Sequence, residues 1–158
     1  MYYHEYHKAA TRHLEICKQL LKNIKDDTKS SSRGHYLNET YYLSGYIMEC
    51  MLSYILFYGT HGDVEDTEIY KEKNTHSKFM SHNLQSKSEH VRSRMDRNTN
   101  IPFVSALPVQ KELRKLYCDW KVEWRYMPNQ KVDFATLESY IKELESVKNI
   151  VINIFPLR

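Results

Sequence analysis

The sequence predicts an all-α protein, an up-and-down bundle of four long helices plus a short extra helix. Three observations predict it. Apolar side chains recur at helical spacing over four long segments. Only four glycines and four prolines punctuate 158 residues, few for a chain of short strands and tight turns. No pair of segments alternates apolar and polar residues in the manner of half-buried strands, and no internal repeat is present.

The first helix is expected over residues 2–25. Tyr6, Ala10, His13, Leu14, Cys17, Leu21 and Ile24 share one face, with Lys18, Lys22 and Lys25 on the wet side. The polar run DDTKSSSRG then reads as a loop. A second helix begins near His35 and continues through YYLSGYIMECMLSYILFY, residues 41–58, toward Gly59 and Gly62, where glycine favours a C-terminal cap. That run carries a single formal charge, Glu49, in a chain that is 27% charged. Leu43, Ile47, Cys50, Tyr54 and Tyr58 form one side of it; Gly45, Leu52 and Leu56 form another. A helix apolar on both sides must be covered on both, so it is the central helix of the bundle or the seam of a dimer.

Residues 60–107 read as a polar, irregular insertion into a single domain spanning 1–158. DVEDTE is acidic. Residues 71–97 then hold seven Lys/Arg against three acids, and Met80, Leu84, Val91 and Met95 are spaced for one modest helix. Pro108 suits a first helical turn. Val109, Leu113, Leu116, Tyr117, Trp120 and Trp124 then make an apolar stripe that Pro128 closes. Asp133 is the expected N-cap of the last helix, whose core face is Phe134, Leu137, Ile141, Leu144, Val151 and Phe155.

Composition narrows the function classes. A net charge of +3 and a pI near 8.6 permit a nucleic-acid or nucleotide partner without requiring one. Cys17, Cys50 and Cys118 are odd in number and widely spaced, which fits reduced, buried thiols in a cytoplasmic protein. The opening MYYHEYHK lacks a charged-then-apolar export signal. The 41–58 run is the one candidate membrane span, and its five tyrosines, two serines and central Glu49 argue against it.

Three segments, taken in order, carry a resemblance. YYLSGYIMECML at 41–52, SHNL at 81–84 and EWRYMP at 123–128 resemble the motifs of HEPN domains (higher eukaryotes and prokaryotes nucleotide-binding). In those domains a second-helix signature with an acidic residue precedes a His-Asp-Leu segment and an Ala-Arg-Tyr-Pro ending. Here Asn83 stands in the acid's place and Met127 is inserted before the proline. The resemblance implies a HEPN-like bundle that homodimerises, in a toxin–antitoxin or anti-phage defence system, often beside a nucleotidyltransferase. Many members are metal-independent RNA endonucleases, using an arginine and a downstream histidine with four to six residues between them, at a groove between protomers. The chain departs from that pattern. None of Arg12, Arg33, Arg92, Arg94, Arg97, Arg114, Arg125 or Arg158 has such a histidine, and after Arg125 the window holds Gln130, Lys131 and Val132. Glutamine cannot transfer protons near neutral pH. The resemblance therefore implies either an RNA-cleaving effector or a non-catalytic module binding a nucleotide or a partner nucleotidyltransferase.

Candidate site residues follow. Buried Glu49 needs a cationic or hydrogen-bonding partner, and Arg125 is either that partner or, with Arg114, Lys121 and Tyr126, an edge that binds RNA or nucleotide phosphate. Glu49, Arg125 and His82 are the catalytic candidates, His82 through its motif; such a histidine otherwise caps a helix or fastens a loop. Residues 71–97 are an RNA-backbone contact or a solvated segment. His4 and His7 have a spacing metal ligands can use, but no convergent carboxylate or thiol accompanies them. With His13 they read as solvated surface, and no metal or cofactor is expected.

Overall fold

A computed structural model describes residues 3–26, 31–58, 82–94, 118–126 and 132–157, with the backbone alone at His90, Ser93, Arg94 and Arg125. The described chain is mostly helical and contains no strand. Its elements are α1 (Tyr3–Asp26), α2 (Arg33–Phe57), α3 (Leu84–Arg94), a 3-10 turn (Val122–Tyr126) and α4 (Phe134–Ile154).

The α1 stripe behaves as its spacing predicts: Ala10, Leu14, Cys17, Leu21 and Ile24 are buried, joined by Tyr3. Arg33, at the start of α2, donates from Nη1 to the Ile24 carbonyl at 2.8 Å, so a cation bonds a carbonyl near the end of α1. The chain then reverses, and α2 runs back along α1.

α2 is covered on both sides, by α1 and α4 and by α3 and the 3-10 turn. Tyr41, Ile47, Met51, Leu52, Tyr54 and Phe57 are all buried. Thr40, Ser44 and Ser53 tolerate burial because each hydroxyl bonds back to a carbonyl of its own helix, Tyr36, Tyr41 and Glu49 respectively. The two-sided run is therefore the centre of the described fold. Leu52, expected to supply dimer area, is fully buried by the chain's own elements, and Leu56 is only partly exposed.

α4 is capped as expected. Asp133 Oδ1 accepts from the Thr136 amide at 2.9 Å and Oδ2 from the Thr136 hydroxyl at 2.6 Å, and these bonds hold the Asp133 carboxyl below the ordinary range. Its buried face is Leu137, Tyr140, Ile141, Leu144, Val147 and Val151, with Phe134 and Phe155 partly covered. The Tyr54 and Tyr58 hydroxyls donate to the carbonyls of Phe155 and Pro156 at 2.7 and 2.8 Å, fastening the end of α4 to the end of α2. Lys18 and Glu145 tie α1 to α4.

One expected element differs. The Trp120/Trp124 stripe predicts a helix continuing to Pro128, yet Cys118–Asp119 is helical, Trp120 and Lys121 are not, and a 3-10 turn follows. The cause is Trp120. Its indole N–H donates to the Tyr42 carbonyl at 3.0 Å while the ring lies over Gly45, in space a Cβ there would occupy. Trp124 meets Tyr41 edge-on at 5.1 Å between centroids. Seating both indoles on α2 bends the chain out of a straight helix, so Lys121 and Arg125 do not share one continuous helical stripe. Gly59, Gly62, the acidic run, Met80, Met95 and residues 108–117 lie outside the described residues. Cys118 is exposed rather than buried.

Candidate functional site

The site is built where α3 begins. Asn83 Oδ1 accepts from the Ser86 amide at 2.9 Å, so the residue in the acid's place of the family-like segment is the N-cap of α3. From there Leu84, Lys87, Ser88 and Val91 fall at helical spacing, and all four are buried against the rest of the protein. Three of these are apolar or small; the fourth is a lysine.

Lys87 is buried because it has a partner. Its Nζ lies 3.2 Å from Glu49 Oε1, with side-chain exposures of 5% for Lys87 and 15% for Glu49. His82, immediately before the cap, places Nδ1 3.0 Å from Glu49 Oε2 and 3.2 Å from Oε1, and its side chain is 53% exposed. Glu49 thus meets two nitrogens, one buried in the first turn of α3 and one open to solvent just before its cap. That is the arrangement of a carboxylate that orients an imidazole.

Around this group Tyr46 is a hub. Its ring meets His82 and Trp120 edge-on at 6.4 and 5.4 Å, and its hydroxyl bonds that of Tyr42 at 2.9 Å. On its other side His13 of α1 stacks at 5.8 Å. Arg12, exposed on α1, acts electrostatically on both His13 and Cys50, and Glu49 and Lys87 act on Cys50 as well. Burial is the main cause that pushes the Cys50 thiol up to about 12, so it is no nucleophile. The described site therefore sets His13 and His82 against Tyr46, joins Glu49 and Lys87 to it through His82, and has Arg12 within electrostatic reach of His13 and Cys50.

The structure brings Glu49 and His82 together. Lys121 is exposed and adjoins Trp120, on the side of α2 that Tyr46 shares with His82; Tyr126, at 79% exposed, stands on the 3-10 turn. Arg114 and the Arg125 side chain lie outside what is described, and so does an Arg125–Glu49 pair. Lys87 is the residue sequence reasoning missed. A lysine in a basic segment reads as solvated, but its place in the Leu84–Val91 spacing marks it as inward-facing. His7 and His13 also depart from the solvated reading. Burial lowers the pKa of both, with Lys148 and Arg12 adding to it. The His13 Nδ1 is buried with no hydrogen-bond partner among the described residues.

A pH dependence follows. A folded state that resists protonating His7 and His13 binds fewer protons than the unfolded chain once pH falls below the ordinary histidine value of 6.5. Stability should therefore drop as pH falls from above 6.5 through the two lowered folded-state midpoints, as read by thermal melts across that window. His13→Gln and His7→Gln should each flatten the drop; an unchanged slope in both would mean other groups set it.

The class defined by fold and site is a helical bundle in which a carboxylate of the central helix faces a solvent-open histidine that precedes α3. Among the described residues no helix is long and apolar enough to cross a membrane. Comparison with known proteins finds no matching family model, no matching curated protein and no matching solved structure.

Proposed function

We propose that this chain is a HEPN-type, RNA-directed protein in which His82, oriented by Glu49, transfers a proton during RNA cleavage. The observation that carries the reading is the Glu49–His82 contact at 3.0 Å, which unites two of the three family-like segments. The third reaches the same stretch of α2 through Trp124 on Tyr41. An up-and-down bundle of four long helices, a homodimer, a cytoplasmic location and a role in toxin–antitoxin or anti-phage defence belong to this reading by resemblance. Any dimer seam would use surfaces other than Leu52.

Chemically, an imidazole exchanges protons near neutral pH, and the solvent-open ring of His82 can reach a bound phosphodiester. Lys121, just before the adjoining turn, with Arg125 and Tyr126 on it, would supply cations for the backbone and a ring for base stacking. In this role His82 replaces the histidine missing after Arg125.

The test incubates end-labelled single-stranded RNA with purified protein in chelator. Wild type should cleave, and His82→Ala should lower the rate by about 10²-fold or more, the usual size of a lost acid–base group. Binding should weaken as salt rises, and Arg125→Ala should reduce that slope by somewhat less than about one unit. Binding without cleavage, unaffected by His82→Ala, would support the second reading, a non-catalytic module for a nucleotide or a nucleotidyltransferase partner. The absent Arg-to-His pattern favours that alternative. No binding of RNA, ATP or GTP at low salt would overturn both.

A further inference from the structure

We propose that Lys87 is a positioning residue: its buried ammonium pins the Glu49 carboxylate against Nδ1 of His82 and so holds the imidazole in its Nδ1–H tautomer. The inference deepens the proposed role of His82 and rests on it for its catalytic meaning, but the tautomer itself is observable without RNA.

The position of Lys87 is the starting point. On the inward stripe Leu84, Lys87, Ser88, Val91, an apolar side chain would avoid the cost of desolvating an ammonium. The lysine is instead aimed at one oxygen. Glu49 Oε1 is shared by Lys87 at 3.2 Å and His82 at 3.2 Å, while Oε2 faces His82 alone of these two at 3.0 Å. A carboxylate held from two directions cannot swing out to solvent along its own χ angles. An ionised carboxylate only accepts hydrogen bonds, so the nitrogen facing it must carry the proton. His82 Nδ1 is then the donor and Nε2 keeps the lone pair that proton transfer requires.

The charges facing the pair come from three elements. Lys87 and His82 belong to α3 and its cap, Glu49 with Cys50 and Tyr46 to α2, and Arg12 with His13 to α1. Among these groups Glu49 is the carboxylate, and Lys87 is the buried cation bonded to it. Without Lys87 the Glu49 side chain is free to leave His82 for water.

The experiment is nitrogen-15 NMR of the full chain carrying labelled histidine, at a pH where imidazole is neutral. Wild-type His82 should show the Nδ1–H tautomer. Lys87→Met should lose that bias and give the mixture seen for free histidine; Lys87→Gln carries the same test if the methionine variant does not fold. Leu84→Ala, which disturbs the same helix face through packing alone, should keep the bias. In RNA cleavage Lys87→Met should lower kcat by about 10-fold with KM unchanged, the pattern of a misoriented group rather than lost binding. A folded Lys87 variant that retains the Nδ1–H tautomer overturns the proposal, and so does equal loss of bias in Leu84→Ala. Wild type that shows the tautomer shift but cuts no RNA overturns the cleavage reading and leaves this one standing.

Discussion

Glu49→Ala should lower the unfolding free energy by about 3–5 kcal/mol, because it removes the carboxylate paired with a buried ammonium. The Lys87 side chain is 5% exposed and its ion-pair partner is Glu49, 3.2 Å away. With the carboxylate gone, the buried Lys87 ammonium loses the charge that offsets its desolvation, which weakens the seat of α3 on α2. Lys87→Met should cost less, since Glu49 keeps His82 and a part of its contact with water. The double variant Glu49→Leu, Lys87→Met should lose clearly less than the sum of the singles, because replacing a buried ion pair with apolar groups of similar size is often close to neutral. Chemical denaturation of the four proteins reads this directly. Losses that add would show that the two side chains do not depend on one another, and would remove the physical basis of the site.

Gly45→Ala should be the other severe change, and its sign should depend on Trp120. Mid-helix, alanine normally stabilises by about 1 kcal/mol over glycine. Here the added methyl would occupy the space of the Trp120 indole, whose N–H is bonded to the Tyr42 carbonyl. The ring must leave, with a loss comparable to deleting it, about 3–5 kcal/mol, only partly offset by helix propensity. In a Trp120→Ala background the obstacle is gone, and Gly45→Ala should instead stabilise. Denaturation of the two singles and the double, with tryptophan fluorescence to follow the indole, tests this. If Gly45→Ala destabilises equally with and without Trp120, the indole does not occupy that notch. Because Trp120 also touches Tyr46, its release should disturb the surroundings of His82.

Much of the fold is legible in the sequence because helical periodicity is a local property. The stripe from Ala10 to Ile24 and that from Leu137 to Val151 read correctly, since each helix buries one face and leaves the other wet. Asp133 was legible as a cap because its carboxylate bonds an amide three residues on, a contact that needs no tertiary partner. The central role of α2 followed from apolarity on both sides. Trp120 and Trp124 mislead for the converse reason. Their spacing fits a helix, but the chain follows the indoles into notches on α2 that only the folded partner helix supplies.

For the site, the sequence by itself determined that Glu49 sits in an apolar helix and must find a partner, since a carboxylate cannot be left bare there. It also singled out His82, and the two meet. Which cation answers Glu49 was decided by tertiary structure alone. Residue type and charge could not separate Lys87 from the other lysines of its segment. What separates it is the phase of α3 against α2, set by the Asn83 cap and by burial of Leu84 and Val91, which turns Lys87 inward and His82 outward at one carboxylate. Arg12 and His13 come to the same place because α1 runs alongside α2, a pairing of residues far apart in the chain that no local pattern encodes.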